Sequence, residues 1–385
     1  MLSFSTGVAQ TGMICVPVAD LVGQPMHEFY GHGVTKKRYQ FLPISGIGTK
    51  PWQACPRLHQ ALLHEMVDIM QERNDEVYIK VNTVFYITKD SSKHTQLFWT
   101  LKSNVVPYKT IKNMPPDDAP STTIVKPIYI PELNITLSAG TRCIMASQIE
   151  QQDRVCVYVF NAKKNRFNVV TIPMDVCMRE VPSDQRARIN LFVKTIRTWA
   201  HEKSGIIPYV WGGCSFIALY PDSEYTIETG AIRHGSTEKV YAYPAVKQTI
   251  KTGLDCSGLI SRAAQVCNIP YYCKNSTTAA HILTALKKDE PLHPGDLLWF
   301  PGHLIVIADL DKHTLVEARS YDHGYGKVHE IPLAEQFEGI NTYADLVYAY
   351  YNQISLKRRN KVGNIVKIIP HYAIYSLASI FKAPL

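Results

Sequence analysis

The sequence lacks long apolar stretches, clustered cysteines and a high density of charge. No window of about 18 residues is both apolar and uncharged, so we expect no transmembrane helix. The nine cysteines are scattered, without a C-x-x-C pair or a cysteine–histidine cluster at zinc spacing, and no metal or other cofactor is implied. Charged residues make up 19% of the chain and hydrophobic residues 46%, which is ordinary for a globular protein.

A leader pattern is also missing. Residues 1–20 contain no basic run followed by a long apolar one, so we expect no signal peptide. The odd number of cysteines leaves at least one thiol unpaired. Both observations favour a reducing compartment, and we expect a cytoplasmic protein. A periplasmic or extracellular location is the alternative if an export signal has been removed.

Positive charge is concentrated towards the C-terminal end. The formal net charge is +8, and no Asp or Glu follows Asp345. The basic residues of this last part are Lys357, Arg358, Arg359, Lys361, Lys367 and Lys382. A basic tail over 351–385 could bind an anionic surface or form a solvated strap on the preceding domain, and we favour the strap. Nucleic-acid binding is not expected, because no recognisable motif and no basic stripe with interleaved aromatic residues occurs.

The first half of the chain has the pattern of short strands and turns. Residues 76–81 alternate with period two, as in a half-buried strand. A proline-rich segment at 113–120 can continue neither a helix nor a strand. We therefore predict a β-rich domain with loop insertions at 1–115 and a second small β-barrel at 121–183.

Beyond the second barrel the pattern becomes a mixture of helix and sheet. Apolar residues at helical spacing predict a helix over 185–201. Apolar runs at 297–300, 303–308 and 315–319 predict strands. A helix followed by antiparallel strands is an α+β order, and we predict an α+β domain at 186–350.

The stretch GLDCSGLI at 253–260 delivers a cysteine to the first turn of a predicted helix. Leu259, Ala263 and Val266 recur at helical spacing after it. The partial positive charge at a helix N terminus stabilises a thiolate, so we expect a lowered pKa for Cys256 and a nucleophilic role. The alternative is a buried cysteine at a helix cap, and the stretch alone does not choose between the two.

A histidine and a carboxylate downstream could complete the machinery of a cysteine nucleophile. His303 opens a predicted strand directly after a Pro-Gly pair and is the best candidate base. A hairpin centred near Leu310 would place Glu317 roughly opposite His303, where its carboxylate can accept the imidazole N–H and fix the tautomer. A register one residue off would put Glu317 on the wrong face. Each residue alone could be structural, but together with Cys256 they favour a catalytic triad.

Four short blocks occur in order along the second half of the chain. They are YVWGG at 209–213, DCSG at 255–258, PGDL at 294–297 and Gly-His at 302–303. Together, over roughly 186–350, they resemble the NlpC/P60 family of papain-like cell-wall cysteine peptidases. The β-rich region before them resembles, more loosely, bacterial SH3-type domains. The resemblance implies a papain-like catalytic domain, with a cysteine helix packed on an antiparallel sheet, preceded by two small SH3-like β-barrels.

The arrangement is similar to that of the γ-D-glutamyl-L-diamino-acid endopeptidases, which cleave murein stem peptides with a free N-terminal L-alanine. By this resemblance Cys256 is the nucleophile, His303 the base and Glu317 the third member of the triad. Glu317 stands where the family usually has a histidine, although a carboxylate can do the same chemistry. The implied reaction is hydrolysis at the γ-D-glutamyl-L-diamino-acid bond through a thioester.

The same resemblance implies residues that bind substrate. Tyr209 would lie beside the thiol and orient the substrate or help to hold the oxyanion. Asp255 matches the acidic residue that helps to bind the substrate's free amine in the similar endopeptidases, and Ser257 flanks the nucleophile on the other side. An aromatic residue of the first barrel closes that subsite in the relatives, and Trp99 and Tyr108 are the candidates here.

Two other functions stay open. The segment 214–253 is longer than the family usually shows at that place and could be a lid over the cleft or an inert excursion. It keeps open an amidase, deamidase or transferase with the same fold that acts on proteins. The other alternative is a non-catalytic module that binds the cell wall. The expected partners are peptidoglycan stem peptides or their fragments.

Overall fold

A computed structural model describes the chain as two compact units, one of residues 1–84 and 95–180 and the other of residues 85–94 and 181–385. The described residues are 9–26, 39, 42, 55–87, 94–146, 153–178, 180–219, 227–234, 237–244 and 251–383. For the two ranges between 227 and 244, the backbone alone is described.

Antiparallel sheets build the first unit, whereas the short strand at 86–87 belongs to the second unit and the one at 94–95 has one residue in each. The strands among the first 180 residues are β1 (Gln10–Ile14), β2 (Val18–Val22), β3 (Arg57–Leu62), β4 (Met66–Arg73), β5 (Glu76–Lys80), β6 (Tyr86–Ile87), β7 (His94–Thr95), β8 (Leu97–Leu101), β9 (Val105–Pro107), β10 (Ser121–Ile124), β11 (Ile128–Ile130), β12 (Ile135–Leu137), β13 (Arg142–Met145), β14 (Arg154–Asn161), β15 (Arg166–Pro173) and β16 (Cys177–Met178). One sheet has the order β3-β2-β8-β5-β4-β1-β9 and a second has the order β15-β14-β13-β10-β16. The strand predicted at 76–81 is β5.

One hydrophobic cluster spans both predicted β-rich domains. Met13 and Leu63 pack in it with Ile124 and Val157. The proline-rich segment 113–120 between the two regions contains no strand or helix, as predicted. The two regions therefore share buried side chains within a single unit, and their assignment as SH3-type barrels stays a prediction.

The second unit combines one larger sheet with five helices among the described residues. Its strands are β17 (Cys214–Ser215), β18 (Ile227–His234), β19 (Thr237–Pro244), β20 (Gly253–Leu254), β21 (Thr284–Ala285), β22 (Leu297–Phe300), β23 (His303–Asp309), β24 (Thr314–Arg319), β25 (Lys327–Pro332), β26 (Leu356–Arg359), β27 (Ile365–Ile369) and β28 (Ala373–Ser376). Its helices are α1 (Gln185–Ala200), α2 (Cys256–Val266), α3 (Ser276–Ile282), α4 (Leu333–Gln336) and α5 (Tyr343–Tyr351). In the described ranges no helix is both long and apolar enough to cross a membrane.

The six-stranded sheet has the order β21-β28-β22-β23-β24-β25. The three predicted strands are β22, β23 and β24, which are adjacent in this sheet, and the helix predicted over 185–201 is α1. All residues from Leu304 to Ala308 are buried, so both faces of β23 are covered. The helices α1 and α2 pack on this sheet and on each other. The predicted α+β architecture of this unit is confirmed.

The C-terminal residues belong to the same unit. Strands β26 and β27 form a hairpin, and β28 inserts between β21 and β22 in the six-stranded sheet. Ile374 on β28 is completely buried. The segment 351–385, expected as a solvated basic strap, therefore supplies a strand and buried side chains to the second unit, including Leu356, Ile369 and Ile374.

The long segment 214–253 begins and ends in paired strands. Strand β17 pairs with β20, so the two ends of the segment meet immediately before α2. Between them β18 and β19 form a hairpin, and β19 lies against the turn Tyr321–His323. Residues 220–226, 235–236 and 245–250 lie outside the described residues, and the choice between a lid and an inert excursion stays a prediction.

Candidate active site

The candidate nucleophile opens helix α2. Cys256 is the first residue of the helix and Asp255 is its N-cap. The Asp255 carboxylate accepts a hydrogen bond of 2.6 Å from the backbone N–H of Gly258. It thereby pairs with one of the N–H groups that a helix start leaves without a partner. The prediction of a cysteine in the first turn of a helix is confirmed.

Close backbone contacts account for the glycines of two sequence blocks. A Cβ atom on Gly258 would lie 1.9 Å from the carbonyl oxygen of Gly213, and a Cβ atom on Gly213 would lie 2.4 Å from that of Gly253. The backbone N–H of Asp255 donates to the same Gly213 oxygen at 3.1 Å. The turn at 209–213 is therefore packed directly against the loop that carries Cys256. This packing fixes the backbone of Cys256 and so the position from which its thiol extends.

The sulfur of Cys256 lies against the beginning of strand β23. The backbone N–H groups of Leu304, the residue that follows His303, and of Ser257 lie close enough to this sulfur to act on the pKa of the thiol. Burial, and after it the charge of Asp255, raise the pKa of the Cys256 thiol to about 12. The expectation of a lowered pKa is therefore wrong, because desolvation of the thiolate outweighs the dipole of the helix N terminus. The thiol is protonated at neutral pH.

The side chains of His303 and Glu317 are in hydrogen-bond contact. The Nε2 atom of His303 lies 2.5 Å from an oxygen of Glu317. Since an ionised carboxylate can only accept, Nε2 carries the proton of the neutral imidazole and Nδ1 presents the lone pair. This tautomer leaves Nδ1 available to receive a proton. The contact that the sequence predicted is present, and the role of the pair in catalysis stays a prediction.

A β-bulge in β23 brings these two side chains to the same face. The bulge lies just before the hairpin turn and shifts the register by one residue. Beyond it Val306 pairs with Val316, which sets Glu317 diagonal to His303, whereas a hairpin centred near Leu310 predicted that it lies roughly opposite. Without the bulge, the partner residues beyond it would fall on the other face of the sheet. The predicted register is wrong, but the long glutamate side chain spans the diagonal.

Glu317 is the centre of a buried ionic network. Its side chain is inaccessible to solvent and contacts Arg358, His329 Nε2 at 3.3 Å and Gln336 Nε2 at 3.0 Å. Burial alone would raise its pKa, but the charge of Arg358 and the hydrogen bonds from two histidines hold the pKa of Glu317 well below its usual range. The carboxylate therefore stays ionised beside His303.

Arg358 is a residue of this site that sequence reasoning missed. It lies on β26, is 3% exposed, and its guanidinium contacts both Glu317 and, at 3.3 Å, the Nε2 atom of His303. Burial, and after it the charge of Arg358, lower the pKa of His303 to about 4. His303 is therefore neutral at pH 7. The run of basic residues around Arg358 was visible in the sequence, but its composition does not show which side chain turns inward.

Removing the charge of Arg358 is expected to raise the pKa of His303. In Arg358→Gln, the Glu317 carboxylate acts on the imidazole without the opposing cation, so the midpoint should rise by about one pH unit or more. NMR titration of the histidine C2–H resonances measures this directly. His323 should move in the same direction by less, because burial is the main cause that lowers its pKa to about 4, and the charges of Arg319 and Arg358 add to it.

His64 provides the internal control for this titration. Burial lowers its pKa to about 4 against a hydrogen bond with the Arg142 carbonyl, so its midpoint should not change in Arg358→Gln. An unchanged midpoint for His303, or an equal shift of His64, would show that Arg358 does not set the charge state of the imidazole.

A buried lysine occupies the polar pocket beside the thiol. Lys274 is 2% exposed, and its ammonium donates to both carboxylate oxygens of Asp255 at 2.7 Å and to Ser257 Oγ at 3.1 Å. Ser257 in turn donates to Asp255 at 2.8 Å. Two residues predicted to bind substrate are thus bonded to a protein side chain. No pattern in the sequence pointed to Lys274, since its partners come together only through the fold.

A short segment from before residue 90 runs beside Lys274. The backbone N–H of Phe85 donates to the Tyr272 carbonyl at 2.7 Å, and that of Lys274 donates to the Phe85 carbonyl at 2.8 Å. Burial raises the pKa of the next residue, Tyr86, and the side chains of Asn275 and Lys274 act on the same hydroxyl in the opposite direction. An aromatic side chain that the sequence analysis did not single out therefore lies next to this pocket.

Tyr209 lies beside the loop that precedes α2. Its backbone forms a bridge with Leu254, and its carbonyl accepts a hydrogen bond of 2.7 Å from the Tyr321 hydroxyl. The rings of Tyr209 and Tyr321 meet edge to face, with centroids 6.2 Å apart. The structure thus places Tyr209 near the candidate nucleophile, and its role at the oxyanion stays a prediction.

Comparison with known proteins gives a likeness of fold. No protein-family model matches the sequence, and no curated protein matches it. A solved structure of an NlpC/P60 family protein from Bacillus cereus ATCC 10987 superposes with a TM-score of 0.53 and 16% identity, covering 84% of this chain and 94% of that chain. The chain shares the fold of an NlpC/P60 protein. Two proteins from Trichomonas vaginalis, NlpC2 and NlpC1, superpose with TM-scores of 0.32 and 0.30 at 10% and 11% identity, covering 86% and 87% of this chain and 94% of each of theirs.

Within this NlpC/P60-like chain, the two aromatic candidates lie in the first unit. Trp99 is buried in a hydrophobic cluster and stacks on Tyr78 with ring centroids 4.9 Å apart. Tyr108 is partly buried and packs on a different cluster of the same unit. Their proposed contacts with substrate stay predictions, whereas Tyr86 is the aromatic residue that the second unit holds beside Asp255.

Among the residues that the structure describes, no group of three or more His, Cys, Asp or Glu side chains is placed to bind one metal ion. All nine cysteines are free thiols.

Proposed function

We propose that this chain is a cysteine peptidase that hydrolyses murein stem peptides at the bond between γ-D-glutamate and an L-diamino acid, either diaminopimelate or lysine. The observation that carries the proposal is the contact between His303 and Glu317. The residue after His303 is Leu304, whose backbone N–H acts on the pKa of the Cys256 thiol. A thiol, a neutral imidazole and an ionised carboxylate are the groups that acyl transfer to sulfur requires. The likeness of four sequence blocks to those of cell-wall peptidases supports the substrate class.

The reaction would begin from a neutral thiol and a neutral imidazole. As the sulfur of Cys256 attacks the γ-carbonyl carbon of the D-glutamyl residue, the thiol proton passes to Nδ1 of His303, so the S–C bond forms while the S–H bond breaks. Because the proton leaves during the attack, no free thiolate is needed. The carboxylate of Glu317 stabilises the imidazolium through Nε2–H.

The tetrahedral intermediate carries its negative charge on the former carbonyl oxygen. The backbone N–H of Cys256 at the start of α2 is the proposed donor to this oxyanion. When the C–N bond breaks, the imidazolium of His303 gives its proton to the leaving amine of the diamino acid. Water, deprotonated by the neutral imidazole, then hydrolyses the thioester and restores the thiol.

The purified protein is expected to convert L-Ala-γ-D-Glu-diaminopimelate into the L-Ala-D-Glu dipeptide and free diaminopimelate. Mass spectrometry of the products identifies the bond that is cut. The matched control substrate is the isomer in which D-glutamate is linked through its α-carboxyl. It should stay intact, because its scissile carbonyl lies at a different position from that of the γ-linked peptide when both bind in the same way.

Two other results would redirect the proposal. Hydrolysis or deamidation of protein amides, with the tripeptide left intact, would favour an acyl-transfer enzyme that acts on proteins. If neither substrate changes, and Cys256 is alkylated by iodoacetamide no faster than the other cysteines, a non-catalytic wall-binding module is favoured.

A further inference from the structure

We infer that the cavity beside His329 is a binding site for an organic phosphate. This cavity has a volume of about 670 Å³ and lies in the second unit, between the end of α1 and strand β25. Cys256, His303 and Glu317 are not among the residues that line it. The site is therefore separate from the candidate triad, and binding there does not depend on the proposed peptidase reaction.

Three parts of the chain form the walls of this cavity. The first is the turn at 200–206 after α1, the second is the stretch 325–330 that enters β25, and the third is Lys361 in the turn of the β26–β27 hairpin. The first two parts are joined through their backbones, because the N–H of Val328 donates to the Ile207 carbonyl at 3.0 Å. The walls are therefore held in place by the main chain of the folded unit.

A nearly buried histidine forms part of the lining. His329 is 8% exposed, and its ring packs on that of Tyr325 with centroids 4.4 Å apart. Its Nε2 atom lies 3.3 Å from the ionised carboxylate of Glu317, so this nitrogen carries the proton. Nδ1 is the ring atom that remains for a ligand, and it can accept from a phosphate hydroxyl or, in the imidazolium, donate to a phosphate oxygen. The cavity thus contains a polar group that is already oriented.

Three lysines give the lining its positive charge. Lys203 and Lys361 are exposed, and neither forms an ion pair with a carboxylate among the described residues. The backbone N–H of Lys361 donates to the His323 carbonyl at 3.0 Å, which fixes the point from which its side chain extends. Lys327 lines the same cavity from the first position of β25. Ammonium groups from three separate segments therefore surround one space, where they can bind an anion together.

The two carboxylates of the lining already have donors within the protein. Glu330 accepts a hydrogen bond of 3.0 Å from Arg197 Nε and lies 2.9 Å from His201 Nε2. Glu202 accepts from Ser204 Oγ at 2.8 Å. Since Arg197 balances Glu330, the three lysines exceed the remaining carboxylate by two positive charges.

Charge and size together favour an organic phosphate. A phosphate ester carries about −1.5 to −2 charges at pH 7, which matches this excess, and its three oxygens can meet donors from different walls. A single carboxylate would leave part of the positive charge without a partner. The cavity volume falls within the range of roughly 300–1,000 Å³ that is typical of small-molecule sites, so it also has room for a sugar or a similar body attached to the phosphate.

The test is calorimetric titration of the full chain with ribose 5-phosphate at fixed ionic strength. We expect a Kd of about 1 mM or lower, and no binding of ribose, which has the same body without the phosphate. The double variant Lys203→Gln with Lys361→Gln should bind about tenfold more weakly or worse. Its matched control is Lys288→Gln with Lys382→Gln, which removes the same charge from exposed lysines outside the cavity and should bind like the wild type.

Histidine C2–H resonances show where the phosphate binds. His201 and His329 line the cavity, so both signals should shift as ribose 5-phosphate is added. Spectra of His201→Gln and His329→Gln assign the two signals. His64 belongs to the first unit, and its signal should stay in place.

Several results would contradict the site. No binding of ribose 5-phosphate up to about 10 mM would overturn it. An equal loss of affinity in the two double variants would show a general attraction to a basic chain. A shift of His64 in place of His201 and His329 would place the ligand elsewhere. If succinate binds as tightly as ribose 5-phosphate, the assignment to a phosphate is wrong.

Discussion

Cys256→Ala is expected to abolish hydrolysis of the stem peptide, lowering kcat/KM by on the order of ten-thousandfold or more. The acyl group has to be transferred to sulfur before water can release it, so removal of the sulfur removes the whole covalent pathway. The protein should stay folded, because the substitution removes one sulfur atom at the first residue of α2 and leaves the Asp255 N-cap in place. Steady-state kinetics and thermal unfolding of the same preparation measure both effects.

Cys267→Ala is the matched control for this variant. Cys267 follows the last turn of α2, is completely buried and lies 3.6 Å from the Thr195 hydroxyl. Its loss removes one buried sulfur from the same helix and should cost about 1 kcal/mol of stability while leaving kcat/KM within about threefold. Hydrolysis by Cys256→Ala at more than a tenth of the wild-type rate would rule out this thiol as the nucleophile.

Glu317→Gln is expected to lower kcat by about a hundredfold to ten-thousandfold. The amide keeps the shape of the side chain, but it cannot stabilise the imidazolium by charge and can present the wrong hydrogen-bonding group to Nε2 of His303. The same change leaves the buried cation of Arg358 without its carboxylate. The free energy of unfolding should therefore fall by about 3 to 5 kcal/mol. Kinetics and denaturant unfolding report the two losses separately.

The double variant Glu317→Gln with Arg358→Met separates catalysis from stability. Removal of both charges leaves no unpaired buried cation from this pair, so much of the lost stability should return. Activity should stay low, because the imidazole still lacks its carboxylate. If activity returns together with stability, Glu317 acts through the folded structure alone and is not the third member of a triad.

The triad carboxylate shows how far sequence reasoning reached. A turn near Leu310 was enough to predict that Glu317 and His303 share a face, because alternation along a strand is a local property. The register itself depends on the bulge in β23, which no residue type announced. The contact between His303 and Glu317 was therefore predicted correctly, although the predicted strand pairing placed them roughly opposite and the observed pairing places them diagonally.

The charge states were harder to predict than the positions. A helix N terminus does lower a thiol pKa, and the sequence placed Cys256 there correctly. Burial acts in the opposite direction and is stronger, so the pKa rises to about 12. Desolvation depends on every neighbour in space, and only the folded chain specifies those neighbours.

Periodicity and local motifs, then, were sufficient for the elements that hold the site: helix α1, the cysteine at the start of α2, and strands β22 to β24. Their signals lie in consecutive residues. Only the tertiary structure determines that Arg358, from a basic segment near the C terminus, contacts His303 and lowers its pKa. The same holds for the ion pair between Lys274 and Asp255. Both are long-range pairings between charges, and charges far apart in sequence meet only where the buried sheet and its helices bring them together.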